Sequence, residues 1–285
     1  MIGVQSQFIK ANGIKIHYLE YKGKEPTVIL LHGLTANAWS FAGIFNTGFK
    51  HRVLAIDLRG RGESEKPDTG YTMKDHANDI IGLMDALNIK KAILGGHSYG
   101  ALLSIYIAYH FPNRVDKIIL IDAAARMHPD TREMIGPSVA RLSLTWPDFE
   151  TYLNSIRSAE YIGDQWHSDM ELYYKADVTL AENGTLVTKS NSDHIQAAVQ
   201  DIYEIGAKWL DYISGLEHES ILLNGTGIYA LGAPILPQEL AMETVNLMKN
   251  CVYENIPGNH LTMLYGDGAF KIAKSIERLL DDDKN

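Results

Sequence analysis

Four short apolar runs in the first half of the chain constrain its fold more than any other feature. They are 27–32 (TVILLH), 52–57 (RVLAID), 91–95 (KAILG) and 117–122 (KIILID). Each has the length of a strand and little polar alternation, the pattern of a strand buried on both faces. Between them, 73–88 places Met73, Ala77, Ile80, Ile81, Met84 and Leu87 on one stripe of a 3.6-residue period. A second helical stretch, 99–111, stops at Phe111-Pro112, because proline disfavours helix in the residue before it. Buried strand, crossover helix, buried strand, repeated, predicts an α/β architecture: a mostly parallel sheet with helices on both faces. Residues 14–20 (IKIHYLE) add a half-buried strand ahead of it.

This rhythm stops near 125 and resumes near 213. The stretch between holds Trp146, Trp166, Trp209, several tyrosines and a turn at Glu182-Asn183-Gly184. It reads as helical pieces without a buried-strand run. Beyond it come 220–225 (SILLNG), a helix near 237–249, a strand at 251–256 (CVYENI) and a closing helix over about 268–281. The expected organisation is a core made of 1–124 and 213–285, with 125–212 inserted as a mainly helical cap. The run Asp281-Asp282-Asp283 reads as a solvated tail.

Composition excludes several classes of function. At 285 residues and 46% hydrophobic, the chain can build one large core, alone or with a sizeable insertion. Its formal net charge of -9, with no basic stripe, argues against a nucleic-acid partner. A single cysteine, Cys251, rules out an intramolecular disulfide and implies no oxidising compartment. It reads as a buried strand thiol rather than a nucleophile. No run of about 18 apolar residues offers a membrane span. The segment Met1–Gly13 alternates polar and apolar residues and lacks the apolar stretch of a secretory leader, so a cytoplasmic location is the default expectation.

The strongest chemical signal is Gly96-His97-Ser98-Tyr99-Gly100, a G-x-S-x-G pattern. The pattern alone is weak, since glycine and serine are common. Here it follows a buried strand and opens a helix, the context in which such a serine stands exposed above a sheet edge. The competing reading is a glycine-rich turn with an incidental serine. A serine hydroxyl needs a base at neutral pH, and the chain has 11 histidines. His17, His51, His76 and His110 fall on expected strand or helix surfaces, and His218 lies in a linker. His128, His167 and His194 fall in the insertion, where they could line a pocket but lack metal-ligand spacing. His260 lies in Ile256-Pro257-Gly258-Asn259-His260, just past the last expected strand, where parallel-sheet proteins place functional groups. An oxyanion would need backbone donors. The Tyr99 N–H, at the start of the helix, and the Leu34 N–H, in the loop His32-Gly33-Leu34, are the candidates. His32 itself reads as a hydrogen-bonded histidine that shapes this loop.

Taken together, LLHGL (30–34), DLRGRGES (57–64), GHSYG (96–100) and IPGNH (256–260) resemble the α/β-hydrolase superfamily, in the order and spacing of its esterase, lactonase and carbon–carbon hydrolase branch. The resemblance covers about 1–124 and 213–285, and leaves 125–212 at the family's variable cap position. It implies Ser98 as nucleophile, His260 as base, Leu34 and Tyr99 as the oxyanion hole, and no cofactor. Asp57 and Arg59 match a family turn whose role is usually architectural.

One feature departs from the commonest pattern. Relatives usually carry the triad acid after the strand that follows the cap, but no aspartate or glutamate occurs from Ser220 through Gln238. Some carry it instead after the strand that follows the nucleophile helix, where this chain has Asp122. An order Ser98, Asp122, His260 fits the fold. The alternative is a Ser98–His260 dyad, with Asp122 merely capping its strand.

A serine at the nucleophile position favours acyl transfer, whereas relatives that open epoxides use aspartate there. The expected substrate is a small molecule with an ester or similar carbonyl, and the first reading is a serine hydrolase of carboxylic esters or lactones. The runner-up cleaves a carbon–carbon bond in a ring-cleavage product. That branch often has tryptophan after the histidine, where this chain has Leu261. An aminopeptidase is disfavoured, because the cap offers no acidic cluster for an ammonium. A hydrolase-fold protein used only for binding is the reading from another class. Trp146, Trp166 and Tyr161 are candidates to roof the pocket, or equally to pack the cap itself.

Overall fold

The computed structural model describes residues 3–281. Eleven strands occur among them: β1 (Val4–Ala11), β2 (Ile14–Tyr21), β3 (Lys24–Leu31), β4 (His51–Ile56), β5 (Ala92–His97), β6 (Val115–Ile121), β7 (Thr145–Trp146), β8 (Val178–Leu180), β9 (Leu186–Thr188), β10 (Ser220–Gly225) and β11 (Cys251–Ile256). Eight form one sheet in the order β1-β2-β4-β3-β5-β6-β10-β11. The β1–β2 and β2–β4 pairs are antiparallel, and every pair from β4 through β11 is parallel. The expected α/β sheet is therefore present, with its order reversing between β4 and β3. The alternating segment Val4–Ala11, which the sequence reading used only to exclude a leader, supplies the outer strand β1.

The continuous apolar runs have a simple physical use. Val28 and Leu30 of β3 feed one hydrophobic core, and Ile29 and Leu31 feed another on the opposite face. The first core takes in the Gly266–Asp281 helix through Ile272, Ile276 and Leu280. The second takes in the Met73–Ala86 and Tyr99–His110 helices through Ile80, Leu83, Leu103 and Ile107. Met73–Ala86 starts at a Thr72–Asp75 capping box, which satisfies otherwise orphaned N–H groups.

Residues between β6 and β10 carry the helices Phe149–Arg157, Met170–Asp177, Ser192–Ile205 and Lys208–Ser214. They also carry a small sheet, ordered β7-β9-β8, that the sequence reading did not foresee. Its hairpin closes at Glu182-Asn183-Gly184, the expected turn, where Gly184 takes a φ of 82°. These strands are only two or three residues long, and although Trp146 and Val178 are buried, most of their positions are partly or fully exposed, Leu180 at 69%, so they lack the apolar run that marks a core strand. One further expectation needs correcting. His17, His51 and His76 are buried rather than on strand or helix surfaces. The Asp281-Asp282-Asp283 tail lies, past Asp281, outside the described residues.

Candidate active site

Ser98 sits between β5 and the Tyr99–His110 helix with φ 54° and ψ −116°, a conformation that residues with a Cβ rarely adopt. The flanking glycines make this turn possible. A Cβ on Gly96 would lie 2.0 Å from Gly100 backbone, and one on Gly100 would lie 2.0 Å from the Leu31 carbonyl oxygen. The Ser98 N–H donates to the Ile121 oxygen at 2.9 Å, which ties the turn to the end of β6.

Asp122 follows β6 directly, fully buried and with φ 54°. Its Oδ2 is 2.7 Å from His260 Nδ1. Its Oδ1 accepts from the Gly225 N–H at 2.7 Å and from Asn224 Nδ2 at 2.9 Å. With those donors spending Oδ1, the carboxylate can only accept from His260. The proton therefore resides on Nδ1, and Nε2 is left as the basic nitrogen. The strand end where relatives usually carry an acid thus supplies amide donors, Asn224 and Gly225, that hold an acid coming from the neighbouring strand. Tyr253 donates to Asn224 Oδ1 at 3.0 Å and fixes the amide in turn.

The loop bearing His260 is braced from several sides. His97 Nε2 donates to the His260 carbonyl at 2.7 Å, and the two rings lie 4.6 Å apart. Asn259 Nδ2 donates to the Tyr161 and Ile228 carbonyls at 2.8 and 3.0 Å, while its Oδ1 accepts from the Leu261 and Thr262 N–H groups. Tyr229 meets the His260 ring edge-on at 5.6 Å. Burial lowers the pKa of His97 far below its usual value, so this neighbour of His260 is neutral.

Gly33, Leu34 and Tyr99 line the same cavity as Ser98 and His260. Among the described residues no acceptor meets the Leu34 or Tyr99 N–H. His32 holds the loop as expected: its Nδ1 donates to the Gly33 oxygen at 2.7 Å and its Nε2 accepts from the Leu58 N–H at 3.1 Å. Burial brings the His32 pKa down to about 4 against the opposing pull of Asp57. Asp57 accepts from Ala38 and Glu63 N–H groups and meets His17 Nδ1 at 2.7 Å, and Arg59 grips Asp79 with two bonds of 2.6 Å. Both residues are architectural in their contacts.

Arg61 was not singled out by sequence. It is fully buried beneath the candidate oxyanion loop, with Nε 3.2 Å from the Leu34 oxygen and the guanidinium 5.4 Å from the Tyr99 ring centre. Its other contacts are the Arg59 oxygen and His76 Nε2, neither of them a carboxylate. No signal short of the fold distinguishes it from an exposed turn arginine.

The cavity measures about 620 Å³. Tyr161 and Trp209 line it; Trp146 and Trp166 do not, and take the other of the two roles left open for them. Trp146 packs edge-on against Tyr152 at 4.7 Å inside the insertion, and Trp166 stacks on Tyr174 at 6.0 Å. Of the insertion histidines, only His128 lines the cavity. Among the described residues, no cluster of His, Cys, Asp or Glu could hold a metal, and no helix is long and apolar enough to cross a membrane. Burial pushes the Cys251 thiol up to about 12, far from a reactive thiolate.

Comparison with known proteins agrees with this architecture. Residues 26–167 match the family model for the alpha/beta hydrolase fold. Over 136 residues the chain is 39% identical to a 2-(acetamidomethylene)succinate hydrolase of Mesorhizobium japonicum, covering 46% of this chain and 49% of that protein. The chain thus spans about half the length of this curated relative, and less of the others that follow it. The crystal structure of E-2-(acetamidomethylene)succinate hydrolase superposes with a TM-score of 0.83 at 21% identity, covering 98% of this chain and 99% of that one. The meta-cleavage product hydrolase of Pseudomonas fluorescens superposes at 0.75 with 20% identity over both whole chains, 100% of each. The chain belongs to the α/β-hydrolase superfamily.

Proposed function

We propose that this protein is a serine hydrolase that cleaves a carboxylic ester or lactone through an acyl-enzyme on Ser98. The observation that carries the reading is the buried His260–Asp122 contact at 2.7 Å, in a cavity shared with Ser98. In this reading Ser98 Oγ attacks the carbonyl carbon as His260 Nε2 takes its proton. Asp122 stabilises the imidazolium, and the Leu34 and Tyr99 N–H groups receive the oxyanion. Collapse expels the alcohol, which leaves with the proton from His260. Water then repeats the sequence and releases the acid. No cofactor enters the scheme. Residues 125–212 act as a cap over the cavity, set between core segments 1–124 and 213–285.

A second reading, carbon–carbon cleavage beside a ketone, draws support from the likeness to a meta-cleavage product hydrolase. It uses the same residues on a different carbonyl, and Leu261 counts against it as noted above.

The test is hydrolysis of short and medium p-nitrophenyl esters near pH 8, wild type beside Ser98→Ala. Turnover by the wild type alone supports the esterase reading. A ring-cleavage diketone hydrolysed in preference to every ester would replace it with the second.

A further inference from the structure

All charged side chains lining the cavity are basic. Arg126, Arg132 and Arg141 line it together with His128, and no aspartate or glutamate does, in a chain whose net charge is -9. Arg126 is paired with Glu243, and Arg132 is exposed at the surface. Arg141 differs from both, being only 6% exposed. Its Nη1 donates to Asp177 and to the Tyr152 hydroxyl, and Tyr152 also donates to Asp177. Asp177 does not line the cavity; it anchors the guanidinium from behind.

Among the described residues, no acceptor meets Arg141 Nε or Nη2. Those two groups form one complete edge of the guanidinium, the side-on fork that matches a carboxylate with two parallel bonds. Neither atom is sealed away from solvent, so this edge is open to the cavity, where an anion can reach it. Around it, the Tyr161, Tyr173 and Tyr174 side chains line the same cavity, and burial raises the pKa of each phenol so that each keeps its proton as a donor. The cluster is also close to the reacting centre. Tyr161 stacks on Tyr229 at 5.2 Å, and Tyr229 touches the His260 ring.

We propose that Arg141, backed by Asp177 and flanked by Tyr161, Tyr173 and Tyr174, is a carboxylate-binding subsite, and that the substrate carries a free carboxylate besides the carbonyl presented to Ser98. The proposal rests on reading this cavity as the substrate site. The apolar remainder of the lining, Leu102, Ile135, Val139, Ile202 and Trp209 among it, suits the carbon skeleton between and around the two groups.

The experiment is calorimetric titration of the Ser98→Ala protein, which cannot form an acyl-enzyme, with straight-chain dicarboxylates from succinate to suberate, each beside its dimethyl ester. At least one diacid should bind about tenfold or more tighter than its diester, the difference a bidentate charged pair provides. Arg141→Lys keeps a cation for Asp177 but lacks the fork, and should lose most of that preference. No diacid exceeding its diester would overturn the proposal without bearing on Ser98 chemistry. So would a full preference retained in Arg141→Lys. Conversely, an absence of ester turnover in the wild type would remove the esterase reading and leave the titration result standing.

Discussion

His260 and Asp122, which are 138 residues apart in sequence, are joined by a 2.7 Å contact between Nδ1 and Oδ2, and the other oxygen of Asp122 is fully engaged by Asn224 and Gly225. The carboxylate therefore has one orientation, and so does the imidazole it holds. An acid placed after β6 reaches the histidine because β6 lies beside β10, whose end provides the supporting amides.

Asp122→Asn tests that relationship directly. The substituted amide would offer an NH2 group or a weaker acceptor to Nδ1, so His260 would lose both its tautomer and its counter-charge. In serine proteases the equivalent change lowers kcat by about 10⁴. We expect a fall of about 10² to 10⁴ in kcat with KM little altered, measured on whichever ester the wild type turns over. A change under about threefold would remove Asp122 from the mechanism and leave a dyad.

Ser98 carries a conformational cost that glycine would not. Its φ of 54° with ψ of −116° lies where a Cβ is strained, by about 1–3 kcal/mol in comparable positions. Ser98→Gly should relieve that strain, offset in part by the freer unfolded chain. The expected net is a rise in Tm of about 2 °C together with complete loss of turnover. Ser98→Ala keeps the Cβ and should melt near the wild type. If Ser98→Gly melts below Ser98→Ala, the strain assignment is wrong.

Much of this was legible before any coordinates. The apolar runs around Ile29, Leu54, Ile93 and Ile119 are continuous because those strands are buried on both faces, so periodicity alone located the sheet. Ser98 could be placed because it follows such a run, and His260 because it lies in the loop just past the last expected strand, 251–256. Asp122 came from the resemblance, which places an acid after β6 in some relatives when the usual stretch, here Ser220–Gln238, has none. What stayed hidden depends on contacts between distant segments. Arg61 and an exposed arginine look alike in sequence, since burial is decided by the loop packed over it. Asn224 and Asn259 are ordinary loop amides until β10 and the insertion surround them. The β7-β9-β8 sheet escaped notice because strands of two or three residues are too short to leave an apolar pattern.

Buried histidines give the fold a predictable acid limit. His32, His76 and His97 are all held below their ordinary pKa by burial, His32 at about 4. For each, the unfolded chain takes up a proton before the folded one does. The stability that each neutral ring represents is therefore present above pH 6.5 and is lost as the pH falls from there toward 4. The slope is about 1.4 kcal/mol per pH unit for each proton so displaced. Thermal melts should show Tm nearly constant from pH 8 to 7 and falling steeply between pH 6 and 5. A flat Tm down to pH 5 would mean that these rings accept protons in the folded state.

Arg61 joins the two residues assigned to the oxyanion. Its Nε holds the Leu34 carbonyl, its guanidinium lies against the Tyr99 ring, and no carboxylate neutralises it among its hydrogen-bond partners. A buried cation without a counter-ion is unfavourable for folding; if Leu34 and Tyr99 receive the oxyanion as proposed, its charge adds to the potential at that developing negative charge. Arg61→Met keeps a similar length of chain and removes both the charge and the bond to Leu34. Loss of one preorganised oxyanion donor costs about 10² to 10³ in kcat, and a donor loosened rather than lost should cost less, on the order of tenfold. KM should stay close to the wild-type value, because the ground-state carbonyl depends little on that donor. Arg61→Lys, which retains the charge, should recover part of the rate. A Met variant that turns over as fast as the wild type would show that Arg61 serves packing alone, and a parallel rise in KM with unchanged kcat would place it in substrate binding instead.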